Sequence, residues 1–126
     1  QVRDILDVSN AVEAYLALWR NIDRVQGRAF NLGGGAENSV SLRQLVAHIA
    51  ELTGRRVEVQ LEDWRAGDQR YFVADTKAAR DALGLSPAVP WREGVERLAD
   101  WLREERGFEA PTGAQPPALA EFGARA

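Results

Sequence analysis

The sequence predicts an α/β domain, or its segregated α+β form, made of short strands and four helices. Three observations carry this. Short segments rich in β-branched and aromatic residues are separated by longer stretches whose apolar residues fall at helical spacing. Glycine and proline stand at the joints between these stretches. Hydrophobic residues make up 45% of the 126 and charged residues 28%, the balance of a folded globular chain rather than a disordered one. The order reads βα β α β β α α, with no internal repeat.

Residues 2–8 read as a short strand or extended segment, after which Ser9 or Asn10 offers an N-cap. A helix is expected over 10–20, with Ala11, Val12, Tyr15, Leu16 and Trp19 as one wide apolar stripe. The polar stretch 20–27 ends it. Ala29–Leu32 reads as a strand closed by Gly33, Gly34 and Gly35. Ser41 is placed to cap a helix over 42–53, in which Leu42, Leu45, Val46, Ile49 and Leu52 keep helical spacing, and Gly54 stands where a left-handed residue ends it. Val57–Leu61 alternates as a strand with one covered face. A loop over 63–68 leads to a strand at 70–74, and Asp75 caps a helix over about 76–83 that Gly84 closes. Pro87 and Pro90 hold the next connection extended. Trp91 opens the last helix, to about 105, with Val95, Leu98, Trp101 and Leu102 as its stripe. From 107 to 126 the chain is rich in Ala, Pro and Gly and reads as a disordered tail.

Composition excludes several function classes. The apolar runs are too short for a transmembrane helix, and no basic stretch leads into an apolar one as in a signal peptide. With no Cys there is neither a disulfide framework nor a thiolate zinc site, and the single His48 speaks against a His-based metal centre or a Ser-His-Asp triad. Sixteen basic against 19 acidic residues give a net charge of −3, so no nucleic-acid surface is advertised. The expectation is a protein of a reduced compartment, the cytoplasm. The chain starts in mid-strand and contains no Met, which reads as a piece of a longer protein.

Four constellations are candidates for chemistry. The Gly33–Gly35 run lacks G-x-G-x-x-G spacing and stands apart from the next helix, so it reads as a flexible connector rather than a phosphate cradle. Arg3, Arg65 and Arg70 lie singly in strands and tight loops, where a guanidinium fork suits a phosphate. Within Trp64-Arg65-Ala66-Gly67-Asp68 a cation, a turn-forming glycine and a carboxylate stand together. Such a loop suits a phosphate on the arginine and a ribose hydroxyl on the aspartate; the plainer reading is a loop arginine paired with a nearby acid. His48 lies off its helix's main stripe and reads as a partly exposed boundary residue. Trp19, Trp91 and Trp101 read as core, whereas Trp64 in its polar loop suits stacking on a base or facing a sugar.

Together these strings resemble the C-terminal half of the extended short-chain dehydrogenase/reductases, and within them the NAD-dependent nucleotide-sugar epimerases and dehydratases. The resemblance runs through Gln1–Val8, Gly27–Gly35, Ser41-Leu42-Arg43-Gln44-Leu45, the R-x-G-D string Arg65-Ala66-Gly67-Asp68, Asp75-Thr76-Lys77-Ala78 and Leu83-Gly84-Leu85-Ser86-Pro87. It covers residues 1 to about 106. The glycine run and the 63–70 loop are most similar to the CDP-paratose 2-epimerase branch, beside the UDP-glucose 4-epimerase-like enzymes.

The resemblance implies a nucleotide-diphosphate sugar as substrate, with Arg3 and Arg65 on the diphosphate and Asp68 on the ribose, next to the Trp64 already read as a base- or sugar-facing ring. It implies that residues 1–35 pack on an N-terminal Rossmann domain of the same protein and that 36–106 form the small substrate-binding domain. The family's glycine-rich NAD motif and its Tyr-x-x-x-Lys pair are absent: Tyr15 is followed four residues on by Trp19, and Tyr71 by Asp75. NAD and the catalytic tyrosine therefore belong to the Rossmann core outside this chain, which alone is not catalytic. Separated from that core, residues 10–33 are expected to self-associate, as a dimer or domain swap. The other reading is a non-catalytic α/β binding or assembly module.

Overall fold

The computed structural model describes residues 1–55 and 57–107. The tail expected over 107–126 lies outside the described residues, apart from Gly107. A three-stranded sheet organises the rest. Its central strand β1 (Val2–Asp4) pairs antiparallel with β2 (Ser39–Ser41), placing Arg3 opposite Val40, and parallel with β3 (Tyr71–Phe72), placing Arg3 opposite Phe72. Between the strands run α1 (Val8–Arg20), the single turn α2 (Ile22–Val25), a 3₁₀ turn (Ala36–Asn38), α3 (Leu42–Thr53), α4 (Lys77–Leu83) and α5 (Trp91–Arg106). The helix α3 lies against α5 and β2, and α1 against α2 and α4. The core is small, built on Ala14, Val25, Val40, Ala74, Ala79 and Leu83.

Where local chemistry decides, the structure follows the sequence. Ser41 and Gln44 form a reciprocal capping box, the Gln44 N–H donating to Ser41 Oγ at 3.2 Å and the Ser41 N–H to Gln44 Oε1 at 3.0 Å. Gly54 ends α3 and Gly84 ends α4, both left-handed. Asp75 accepts the Lys77 N–H at 3.0 Å, one position ahead of the formal cap Thr76. At α1 the cap is Asp7, not Ser9 or Asn10. Its carboxylate accepts from the Ser9 hydroxyl and N–H, bonds that hold its pKa below the usual range. Asn10 instead accepts the Val89 N–H at 2.8 Å.

The strands depart more. Ala29–Leu32 is not a strand: the sheet is ordered β2-β1-β3 and these residues pair with none of its strands. Arg28 stacks over the Phe30 ring there, 4.8 Å from its centre. Val57–Leu61 is exposed and forms no ladder among the described residues. The strand expected at 70–74 shortens to two residues, while β2, with one apolar residue between two serines, carries too little pattern to read.

Burial corrects three further readings. Trp19 and Trp101 are exposed rather than core, as is most of the α1 stripe; the residue α1 buries is Ala14. His48 is buried rather than at a boundary, because α5 lies over α3: Arg92 Nη1 sits 3.0 Å from His48 Nδ1, and the Trp91 ring stands edge-on at 5.2 Å. The glycine run is closely packed rather than flexible. A Cβ on Gly34 falls 1.9 Å from the Ile5 carbonyl oxygen, and one on Gly33 falls 2.3 Å from Asp4 Oδ2. Asp4 closes the knot by accepting the Gly35 N–H at 3.1 Å and the Ala74 N–H at 3.2 Å. That carboxylate occupies an N–H a phosphate needs, so the run is a packing device and not a phosphate cradle.

Candidate functional site

The R-x-G-D string forms a tight turn. The Asp68 N–H donates to the Arg65 carbonyl at 3.1 Å, with Gly67 at φ +83° in the third position. That is the φ of a type II turn, in which the third residue needs positive φ and glycine supplies it without strain. The turn delivers the Asp68 side chain back toward β1. There Arg3 Nη2 lies 3.7 Å from Asp68 Oδ1, each side chain about one-third exposed (33%). At that exposure the pair is worth less than about 1 kcal/mol. Arg3 is held more firmly by its own neighbours: Nη1 donates to the Val2 carbonyl and Nη2 to that of Gln69, both at 2.8 Å.

Beside this pair opens a cleft of about 350 Å³, lined by Gln1, Ser41, Leu42, Leu61, Trp64 and Asp68 among others. Leu42 and Ser41 are there because the α3 cap starts the helix beside the sheet. Trp64 is half exposed, and Arg70 covers it from one side, 5.1 Å from the ring centre. Of the residues expected from sequence, Trp64 and Asp68 line the cleft, Arg3 meets Asp68, and Arg65 starts the turn that Asp68 ends. The plainer reading of a loop arginine paired with an acid does not describe Arg65. Its side chain is exposed and has no ion-pair or hydrogen-bond partner among the described residues. Arg3 is the arginine that pairs.

Sequence reasoning missed Gln1, whose Nε2 donates to Asp68 Oδ2 at 2.6 Å. No local signal marks a contact across 67 positions. A second cleft, about 480 Å³, lies along the glycine run and includes Asn10, Glu13, Thr76 and Ser86. The Ser86 hydroxyl and N–H donate to Glu13 at 2.7 and 3.0 Å and hold its carboxyl below the usual range. Among the described residues, no three His, Cys, Asp or Glu side chains gather as a metal site, and no helix is long and apolar enough to cross a membrane.

No protein-family model matches the chain. It is 35% identical over 101 residues to the CDP-paratose 2-epimerase of Salmonella typhi, a match covering 80% of this chain and 30% of that protein. It is 30% identical over 134 residues to the dTDP-D-glucose 4,6-dehydratase of Bos taurus, covering 93% of this chain and 36% of that protein. With the UDP-glucose 4-epimerase of Corynebacterium glutamicum it shares 29% identity over 86 residues, covering 68% and 26%. The chain belongs to the extended short-chain dehydrogenase/reductase family. Within that family it spans about a third of the length of the curated relatives it matches. The three relatives differ in named activity, so membership alone gives no single reaction.

Proposed function

We propose that this chain is the nucleotide-binding C-terminal part of an NAD-dependent sugar-nucleotide epimerase or dehydratase. The observation that carries the reading is the R-x-G-D turn, which sets Asp68 against Arg3 at the edge of a cleft walled by Trp64 and Leu42. A nucleoside diphosphate presents two anionic phosphates, a ribose diol and a flat base. Arg3 and the unpaired Arg65 suit the diphosphate, Asp68 accepts from the ribose, and Trp64 gives the base or sugar an aromatic face. Binding energy from this end of the substrate, remote from the reacting carbon, is what such a part contributes to catalysis. The named activities of the relatives support a nucleotide sugar as the substrate class.

The residues of this chain do not fit NAD. The glycine run is filled by β1 and by the Asp4 carboxylate, and no Tyr-x-x-x-Lys pair is present. In this reading NAD and the catalytic tyrosine belong to an N-terminal Rossmann domain of a longer cytoplasmic parent, on which residues 1–35 pack while 36–106, with Arg3 from β1, bind the nucleotide.

Titration calorimetry tests the nucleotide reading, with CDP, the nucleotide in the name of the Salmonella relative, as first probe. Arg65→Ala and Asp68→Ala are each expected to weaken binding about ten- to a hundredfold, the effect of one charge-assisted contact of about 1.5–3 kcal/mol. Unchanged affinity in both variants returns Arg65 to an ordinary solvated arginine.

The exposed α1 face supports the expected self-association. Val8, Val12, Tyr15 and Trp19 are all more than half exposed and recur along α1 at alternating four- and three-residue steps, the repeat of a helix–helix seam, and the exposed Ile22 follows at the start of α2. Leaving 100–200 Å² of such surface in water forgoes roughly 2–5 kcal/mol. Light scattering at micromolar concentration is expected to give a dimer, and Trp19→Glu a monomer. A monomeric parent chain shows that the face needs no cover.

A further inference from the structure

Gln1 joins two walls of the cleft. Its carbonyl accepts the Leu42 N–H at 3.0 Å, which ties the start of β1 to the first residue of α3. Its side-chain Nε2 donates to Asp68 Oδ2 at 2.6 Å. The next residue is pinned as well, since the Val2 N–H donates to the Arg70 carbonyl at 2.9 Å. Gln1 therefore reaches the 65–70 loop from a backbone whose following peptide group is hydrogen-bonded at both its carbonyl and its N–H.

The two oxygens of Asp68 are treated differently. Oδ2 receives the short Gln1 bond, while Oδ1 faces Arg3 at 3.7 Å, too long for a hydrogen bond. Arg3 directs its hydrogen bonds to the Val2 and Gln69 carbonyls instead. So the carboxylate takes its direction from a neutral amide, and Oδ1 keeps acceptor capacity. A neutral donor suits this task. A cation at that distance draws off the carboxylate's charge, and a second carboxylate pushes it away. An aspartate one-third exposed otherwise loses rotamer freedom only when a ligand arrives, at a cost in affinity.

We infer that Gln1 is a positioning residue, holding Asp68 Oδ2 so that Oδ1 accepts from a ribose hydroxyl of a nucleoside diphosphate bound in the cleft. This rests on the nucleotide reading given above. It adds a specificity, because discrimination between a ribose and a sugar without hydroxyls then depends on a residue that does not itself touch the sugar.

The test is calorimetric titration of the 126-residue chain with CDP and with 2′,3′-dideoxy-CDP, for the parent, Gln1→Leu and Gln1→Glu. The parent is expected to bind CDP about tenfold more tightly than the dideoxy analogue, the value of a hydrogen bond to a charged group. In both variants that ratio is expected to fall within about twofold, whatever the change in dideoxy-CDP affinity. A ratio retained in either variant overturns the inference. So does a parallel loss of affinity for both ligands, which marks a merely structural role. A parent chain that binds neither nucleotide overturns the nucleotide reading itself. A parent that binds both equally, and weakens with Arg65→Ala, leaves that reading standing and removes the role of Gln1.

Discussion

Gly34→Ala is expected to cost more than about 3 kcal/mol and to lower the melting temperature by more than about 10 °C. The φ of Gly34 is not positive, so the backbone itself admits alanine; what is missing is room. The new methyl falls 1.9 Å from the Ile5 carbonyl oxygen and 2.7 Å from both the Ile5 carbonyl carbon and Asn38 Cβ. Neither the Ile5 main chain nor a Cβ is the loose end of a flexible side chain. To make space, the glycine run has to move off β1, which stretches the Gly35 N–H to Asp4 bond and the Ile5 N–H to Asn38 carbonyl bond, both 3.1 Å. One methyl then disturbs the junction of β1, the 3₁₀ turn and β2. Gly27→Ala is the control: Gly27 has φ +74° and open space around it, so alanine meets only conformational strain of about 1 kcal/mol. Thermal unfolding by circular dichroism compares the two. A Gly34→Ala loss no larger than that of Gly27→Ala means that the run does not press on Ile5.

The contrast between these glycines bears on what was legible in the sequence. Ser41 and Gly54 announce α3 because each is a cap signal beside the helix it bounds, while the Gln44 half of the capping box shows only in the structure. The R-x-G-D turn is legible for the same reason, since Gly67 and the Asp68 N–H complete it locally. Strands are different. Ala29–Leu32 and Val57–Leu61 have strand-like composition, but a ladder needs a partner, and composition does not say whether one is free. Both edges of β1 are filled by three residues of Ser-Val-Ser and by Tyr71–Phe72. The glycine run illustrates a subtler failure. Three adjacent glycines suggest freedom, whereas here they mark the closest approach of two backbones.

The site divides along the same line. Arg65, Trp64 and Asp68 sit within five residues, and their chemistry could be read together. That Asp68 belongs with Arg3 followed only from the family resemblance, and that it belongs with Gln1 followed from nothing in the sequence. His48 shows how one position misleads. It lies off the apolar stripe of α3, and only the arrival of α5, with Arg92 and Trp91, buries it.

Asn38 is the other residue whose weight rests on distant partners, and its loss is expected to be nearly as damaging as that of Gly34. It is 3% exposed. Its amide donates to the Val89 carbonyl and its Oδ1 accepts the Trp91 N–H, both at 2.8 Å. Trp91 is the first residue of α5, and the residue before it is a proline with no side chain to offer as a cap. Asn38 therefore caps α5 from 53 positions away. Asn38→Leu leaves a buried donor and a buried acceptor without partners, at about 1–3 kcal/mol each, and frees the start of the helix that covers His48. We expect a loss of about 3–4 kcal/mol by urea unfolding, with hydrogen exchange in the first turns of α5 rising ahead of that in α3. Asn38→Asp separates the two bonds. It keeps the acceptor for the Trp91 N–H but turns an oxygen lone pair toward the Val89 carbonyl, and burial with that repulsion raises the new carboxyl's pKa in the folded state. Protonation restores the donor. The penalty of Asn38→Asp relative to the parent should then be smallest below the ordinary aspartate value of about 4 and grow as pH rises through the raised folded pKa. A penalty independent of pH means that the Val89 bond contributes nothing and that Asn38 acts through Trp91 alone.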